Sequence, residues 1–208
     1  MSGSGIDTSC LSSIWHTLNV TNSRAGGSSA LLAKSSAKNH GWDAESIAQA
    51  VALAQTAENL LVVISDANDE GGEGHDRASI GLAQDQMLMA KAVFAAVANK
   101  AGVRATLVVI SGGVIAFDEL REVPPAILDI KMPGVYGAQA VAETIWGTNV
   151  PAGKLPFTVY YSNYTDGLAI DDMSLQACGS SGCGRTYPTL PNFAHCVCLI
   201  AARRSTCM

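Results

Sequence analysis

Short runs of apolar residues, rich in β-branched side chains, alternate along this chain with segments in which apolar residues recur at helical spacing. The run at residues 60–64 is continuous enough to be buried on both faces of a sheet, and the runs at 105–110 and 126–130 are predicted to be two further strands. Helical spacing occupies residues 43–58, 85–100 and 136–146, and a further, alternating run lies at 157–161. This order predicts an α/β fold, a three-layer sandwich with a mainly parallel sheet flanked by helices on both faces.

The apolar residues of the helix predicted at residues 85–100 indicate which of its faces lies against the core. In this prediction the core-facing stripe consists of Leu88, Ala92, Ala95 and Ala96. Residues 1–41, by contrast, are rich in Ser, Gly, Ala and Asn and show no sustained periodicity. They are predicted to be a mostly irregular N-terminal segment with one short helix around residues 29–38.

The charge and hydropathy of the chain argue against two classes of partner. Thirteen basic and 18 acidic residues give a net charge of −5, and no basic cluster is longer than Arg203-Arg204, so no nucleic-acid partner is expected. The longest strongly apolar run, at 60–64, is far shorter than the roughly 20 residues that span a bilayer, so no membrane partner is expected either. Residues 1–20 lack the pattern of a secretory signal, which leaves the localisation unassigned.

The cysteines do not form a recognisable metal-binding pattern. Cys10 stands alone, and the other five lie beyond residue 177. Four residues separate Cys178 from Cys183 and one separates Cys196 from Cys198, which does not repeat the Cys-x-x-Cys spacing of a zinc site. No metal site is therefore predicted, and either local disulfides or free thiols fit these residues. No cofactor is predicted, because both the dinucleotide-binding glycine motif and the P-loop motif are absent from the sequence.

A strongly acidic segment follows the apolar run at 60–64. Residues 65–77 read SDANDEGGEGHDR and contain five carboxylates, one histidine and one arginine among glycines and small residues. Ligand sites of parallel α/β sheets lie outside the carboxyl ends of the strands, where this segment is expected. Carboxylates there can perform acid/base chemistry or bind hydroxyl groups. The composition fits equally a solvated loop in which Asp76 and Arg77 brace the next helix, so both interpretations stay open on composition.

Several short motifs occur in a fixed order between residues 45 and 187. The acidic segment ends in Glu73-Gly74-His75-Asp76-Arg77, and Gln86 lies near the start of the following helix. Further along are VISGG at 109–113, MPG at 132–134, PAGKLPFT at 151–158, DMSL at 172–175 and GRTY at 184–187. This order resembles the C-terminal α/β-sandwich domain of glycoside hydrolase family 3, which includes β-glucosidases and β-xylosidases. The resemblance implies a sandwich domain at 42–187, preceded by the irregular segment 1–41 and followed by a divergent tail at 188–208.

The resemblance also implies a reaction and roles for residues of the acidic segment. The family is retaining, so an aspartate of a barrel domain attacks the anomeric carbon while a glutamate of the sandwich domain protonates the leaving oxygen and later deprotonates water. By position, Glu73 is the first candidate for this acid/base group and Glu70 is the second. Asp76 and Arg77 are expected to brace the loop or to bind the sugar. Repulsion from neighbouring carboxylates is expected to raise the pKa of this acid, so that it is protonated at the pH at which the reaction takes place.

Substrate and partner follow from the same resemblance. The motifs at 172–175 and 184–187 are most similar to the β-xylosidase-like branch, so the implied substrate is an oligosaccharide or glycoside, a β-xyloside or β-glucoside. A chain of 208 residues is too short to add a barrel of about 250 residues, so the implied partner is a family 3 barrel domain, in cis or in trans. A second hypothesis is a non-catalytic α/β scaffold or a carbohydrate-binding fragment without the barrel.

Overall fold

Helices and strands alternate along the chain in the order that its apolar pattern predicts. The structure, a computed structural model, describes residues 11–32, 41–65, 79–153 and 159–163. Within these residues the elements are α1 (Ile14–Arg24), α2 (Ala44–Thr56), β1 (Asn59–Ser65), α3 (Gln84–Val97), β2 (Arg104–Ile110), a 3₁₀ helix (Asp118–Glu122), β3 (Ile127–Asp129) and α4 (Gly137–Trp146).

The three strands form one parallel sheet in the order β1-β2-β3. Ser65 pairs with Ile110 and Val109 pairs with Asp129, so the three strands end side by side at one edge of the sheet, called the carboxyl edge below. The middle of β2 is buried on both faces, as a continuous apolar run predicts. In β1 the buried Val62 and Ile64 alternate with Val63, which is 43% exposed, so the prediction that the run at 60–64 is buried on both faces is wrong. The predicted α/β sandwich with a mainly parallel sheet is confirmed.

The two faces of the sheet carry different helix pairs. Leu107 and Val109 belong to a buried cluster that also contains Phe94 of α3, and α2 packs beside α3. Val108 is equally buried but points to the opposite face, because successive side chains of a strand alternate. Helices α1 and α4 pack against each other and bury residues outside that cluster, such as Val141. The described sheet therefore lies between α2 and α3 on one face and α1 and α4 on the other.

The predicted inward face of α3 is wrong. Leu88 is 51% exposed, whereas the buried stripe is Gln86, Met89, Ala90, Val93, Phe94 and Val97. The large side chains of Met89, Val93 and Phe94 determine which side of the helix faces the core, while alanines are compatible with either side. The buried side of α3, as observed, includes one polar residue, Gln86.

The N-terminal segment contains a helix that the sequence pattern does not reveal. Residues 1–41 are predicted to be mostly irregular, but Ile14–Arg24 forms α1, whose first turn is capped by Ser13 Oγ accepting the His16 N–H at 3.1 Å. Leu18 is its one fully buried residue, so α1 depends on packing against α4 more than on its own periodicity. Of the short helix predicted at 29–38, residues 29–32 are not helical, and residues 33–38 lie outside the described residues.

The start of α2 is stabilised by a capping box. The Asp43 carboxylate accepts the Ser46 N–H at 2.8 Å, and Ser46 Oγ accepts the Asp43 N–H at 3.0 Å. We expect Asp43→Ala to lower the free energy of unfolding by about 1 kcal/mol, because the Ser46 N–H and the Ser46 hydroxyl both lose the carboxylate that accepts their hydrogen bonds. Urea denaturation measures this loss, with Asp43→Asn as the control that keeps the acceptor oxygen. Equal stability of the Ala and Asn variants would contradict the assignment.

Candidate active site

The described residues on either side of the acidic segment lie near the carboxyl edge of the sheet. Its candidate residues Glu70, Glu73, Asp76 and Arg77 lie outside the described residues, but both flanks are described. On one side, Ser65 is the last residue of β1. On the other side, the Ile80 carbonyl accepts the Ala116 N–H at 2.8 Å, and Gly81 forms a parallel bridge with Ala116, which lies shortly after β2. A chain that leaves this edge at residue 65 has therefore returned to it by residue 80.

The first flank is held by a buried side chain of α3. Gln86 Nε2 donates to the Ser65 carbonyl at 2.9 Å, and the Ser65 N–H donates to Gln86 Oε1 at 3.3 Å. Gln86 is only 3% exposed, so these bonds satisfy an amide that has little access to water. The sequence places Gln86 near the start of this helix but gives no indication of its partner.

A second polar cluster at the same edge was not predicted. Lys131 Nζ lies 2.5 Å from Asp129 Oδ2 and donates to Ser111 Oγ at 3.2 Å and to the Gly113 carbonyl at 3.4 Å. The Asp129 side chain is 2% exposed, Ser111 is fully buried, and the Lys131 side chain is 35% exposed. The Lys131 N–H also donates to Asp129 Oδ1 at 3.1 Å. The cluster joins the loop after β2 to the turn after β3.

One sequence signal could have revealed this cluster. Ser111 directly follows a run of buried apolar residues, and Asp129 ends the short strand β3. Polar residues at the ends of buried parallel strands meet at the carboxyl edge and must find partners there. The structure adds a feature that the sequence does not show, because the φ of Lys131 is 51°, in the left-handed region that few residues other than glycine adopt.

Two features are absent from the described part of the chain. No group of three or more His, Cys, Asp or Glu residues within it could hold a metal ion. Among its helices, none combines the length and the apolar character that crossing a bilayer requires. All six cysteines discussed above lie outside the described residues.

Comparison with known protein families identifies the chain's relatives. Residues 2–187 match the model of the glycosyl hydrolase family 3 C-terminal domain. The chain belongs to this family. The resemblance predicted from the order of short motifs is therefore confirmed, while the division at residues 41 and 187 stays a prediction.

Several curated proteins are similar to this family 3 chain. It is 37% identical over 142 residues to probable beta-D-xylosidase 6 of Arabidopsis thaliana, which covers 67% of this chain and 17% of that protein. It is 32% identical over 139 residues to beta-xylosidase/alpha-L-arabinofuranosidase 2 of Medicago sativa subsp. varia, covering 65% of this chain and 17% of that protein. The family 3 chain thus spans less than a fifth of the length of these relatives.

Solved structures give the same fold. The beta-D-glucoside glucohydrolase of Trichoderma reesei superposes with a TM-score of 0.58 at 21% identity, over 74% of this chain and 20% of that one. A beta-glucosidase from Kluyveromyces marxianus superposes with a TM-score of 0.52 at 25% identity, over 59% of this chain and 14% of that one. The family 3 chain therefore shares its sandwich with part of much larger enzymes.

Proposed function

We propose that this chain is the acid/base-bearing part of a retaining β-glycosidase, with Glu73 as the acid/base group. The observation that carries the proposal is that both flanks of the acidic segment, at Ser65 and at Ile80–Gly81, are anchored at the carboxyl edge of the sheet. In a parallel α/β domain this edge is where ligands bind. Membership of the family supports the same assignment.

In the proposed reaction, Glu73 donates its proton to the glycosidic oxygen as the bond to the anomeric carbon breaks. An aspartate of a family 3 barrel domain forms the glycosyl-enzyme bond, and Glu73 then takes a proton from the water that hydrolyses it. The two carboxyl groups must lie about 5–5.5 Å apart, which requires both domains to be present. Glu70 is the second candidate, and Asp76 and Arg77 are proposed to brace the segment or to contact the sugar.

The proposed substrate is a β-xyloside, with a β-glucoside as the second choice. The curated relatives described above are named as β-xylosidases, and the sequence motifs favour that branch. The solved relatives are named as enzymes acting on β-glucosides, so the two sugars are best compared directly. Xylose lacks the hydroxymethyl group of glucose, so the comparison reports how much space the site leaves at that position.

Hydrolysis of nitrophenyl β-xyloside and β-glucoside tests this proposal. The 208-residue chain is assayed alone and after addition of a family 3 barrel domain. We expect product only in the combined sample, because neither part contains both carboxyl groups, and a faster reaction with the xyloside. Circular dichroism verifies that both parts are folded. Folded components without any hydrolysis would contradict the proposal and favour a non-catalytic scaffold.

A further inference from the structure

Gln86 is a polar residue on an otherwise apolar stripe of α3. Its neighbours on that stripe include Met89, Ala90 and Val93, all buried, and Gln86 itself is 3% exposed. A buried amide without partners is costly, so an apolar residue of similar size would suit a helix whose task is only to fill the core. The presence of this amide therefore points to a role for Gln86 at the residue that receives its hydrogen bonds.

Both hydrogen bonds of Gln86 end on a single residue, Ser65. The carboxamide accepts from the Ser65 N–H and donates to the Ser65 carbonyl, as the backbone of a neighbouring strand would do. Ser65 is the last residue of β1, and on its opposite side β1 pairs with β2. The end of β1 is consequently held between a strand and a side chain.

Helix α3 is itself fixed where Gln86 projects from it. The adjacent residue Asp85 accepts the Trp42 N–H at 2.9 Å through Oδ2, which ties the first turn of α3 to the residue that precedes the cap of α2. Phe94 and Val97, further along α3, are buried in the core. The contact from Gln86 to Ser65 therefore connects the end of β1 to α3, which is held both at its first turn and in the core.

We infer that Gln86 is a positioning residue for acid/base catalysis. By fixing both backbone polar groups of Ser65, it sets the direction in which the chain leaves β1 toward Glu70 and Glu73. This inference rests on the proposed function, because it assigns Gln86 an effect on the proton-donating carboxyl group. Gln86 does not touch substrate in this assignment and acts only through the backbone of the segment that it anchors.

Substrates with different leaving groups separate positioning from a general loss of stability. Gln86→Met removes both hydrogen bonds at nearly constant size, and Gln84→Met is the matched control at an exposed position of the same helix turn. With the barrel domain added, we expect Gln86→Met to lower kcat/KM for methyl β-xyloside on the order of 10- to 100-fold, since a displacement of about 1 Å can cost about 10²-fold. For dinitrophenyl β-xyloside, whose leaving group needs little protonation, kcat/KM should stay near its original value, because kcat/KM reports the formation of the glycosyl-enzyme.

A second variant and a second measurement keep the test decisive if Gln86→Met is unstable. Gln86→Glu preserves the shape of the side chain, and its ionised form can no longer donate to the Ser65 carbonyl. Gln86→Glu can still accept the Ser65 N–H, so hydrogen exchange of the Ser65 amide, measured in the 208-residue chain alone, should be faster in Gln86→Met than in both Gln86→Glu and Gln84→Met. An unchanged Ser65 exchange rate in Gln86→Met would overturn the inference, as would equal losses of kcat/KM for the two leaving groups in either Gln86 variant.

The failure of the inference can be distinguished from the failure of the proposed function. Glu73→Gln is assayed in parallel with the same two substrates. If Glu73→Gln shows the leaving-group dependence and Gln86→Met does not, Gln86 is structural and the proposed function stands. If the unsubstituted chain with its barrel domain is inactive, or if neither Glu73→Gln nor Glu70→Gln has an effect, the proposed function and this inference both fail.

Discussion

Replacing Glu73 by glutamine is expected to lower kcat/KM for methyl β-xyloside by about 10²- to 10⁴-fold when the chain is combined with a family 3 barrel domain. Glutamine keeps the size of the side chain but cannot donate a proton to the leaving oxygen. The loss should shrink for dinitrophenyl β-xyloside, because formation of the glycosyl-enzyme then needs little acid catalysis. Initial rates with the two substrates measure the effect.

Glu70→Gln provides the matched control for this experiment, because it makes the same chemical change in the same segment. It should reduce the rate far less than Glu73→Gln. Added azide, a nucleophile that needs no general base, should accelerate the Glu73 variant with the activated substrate by replacing water in the second step. A larger loss in Glu70→Gln would transfer the acid/base role to that residue, and no loss in either variant would refute the role of the segment.

Lys131→Met is expected to destabilise the domain by about 3 kcal/mol. Lys131 Nζ lies 2.5 Å from Asp129 Oδ2, and the Asp129 side chain is only 2% exposed, so the substitution leaves a carboxylate buried without its cation. Breaking a buried pair by removing one partner typically costs about 3–5 kcal/mol. The lower end applies because the Lys131 side chain is 35% exposed and water can partly replace it. Urea denaturation monitored by circular dichroism measures the change.

An exposed ion pair in the same domain serves as a comparison for the buried Asp129–Lys131 pair. Arg121 and Glu122 approach to 3.0 Å, but the Glu122 side chain is 70% exposed, so Glu122→Gln should cost less than about 1 kcal/mol. The double variant Asp129→Asn with Lys131→Met should recover part of the loss seen in Lys131→Met, because no unpaired charge then stays buried. Equal effects of Lys131→Met and Glu122→Gln would show that the Asp129–Lys131 pair does not stabilise the fold.

The strands could be predicted from the sequence because short, continuous apolar runs are compatible with few structures other than a buried strand. The runs at 60–64 and 105–110 are too short for core helices and too continuous for loops, and both became strands of the parallel sheet. Helix α1 could not be predicted in the same way, because most of its side chains are polar and it buries only Leu18. Its formation depends on a cap and on α4, which is distant in the sequence.

The contacts at the carboxyl edge depend on the register of the sheet and could not be predicted locally. Gln86 and Ser65 are 21 residues apart, and Ser111 and Lys131 are 20 apart. Each pair meets only once the parallel strands are aligned and α3 lies over them. The proposed roles of Glu70, Glu73, Asp76 and Arg77 come from resemblance to a family, and these residues lie outside the described ranges, so their roles stay predictions.

The two anchors of the acidic segment determine how much a change in the length of that segment costs the domain. One anchor depends on Gln86 of α3 and the other on the backbone of Ala116. The entropic cost of closing a loop rises by only about 0.6 kcal/mol for each doubling of its length. By this cost alone, a segment with a different number of residues can be closed between the same two anchors without a large loss of stability.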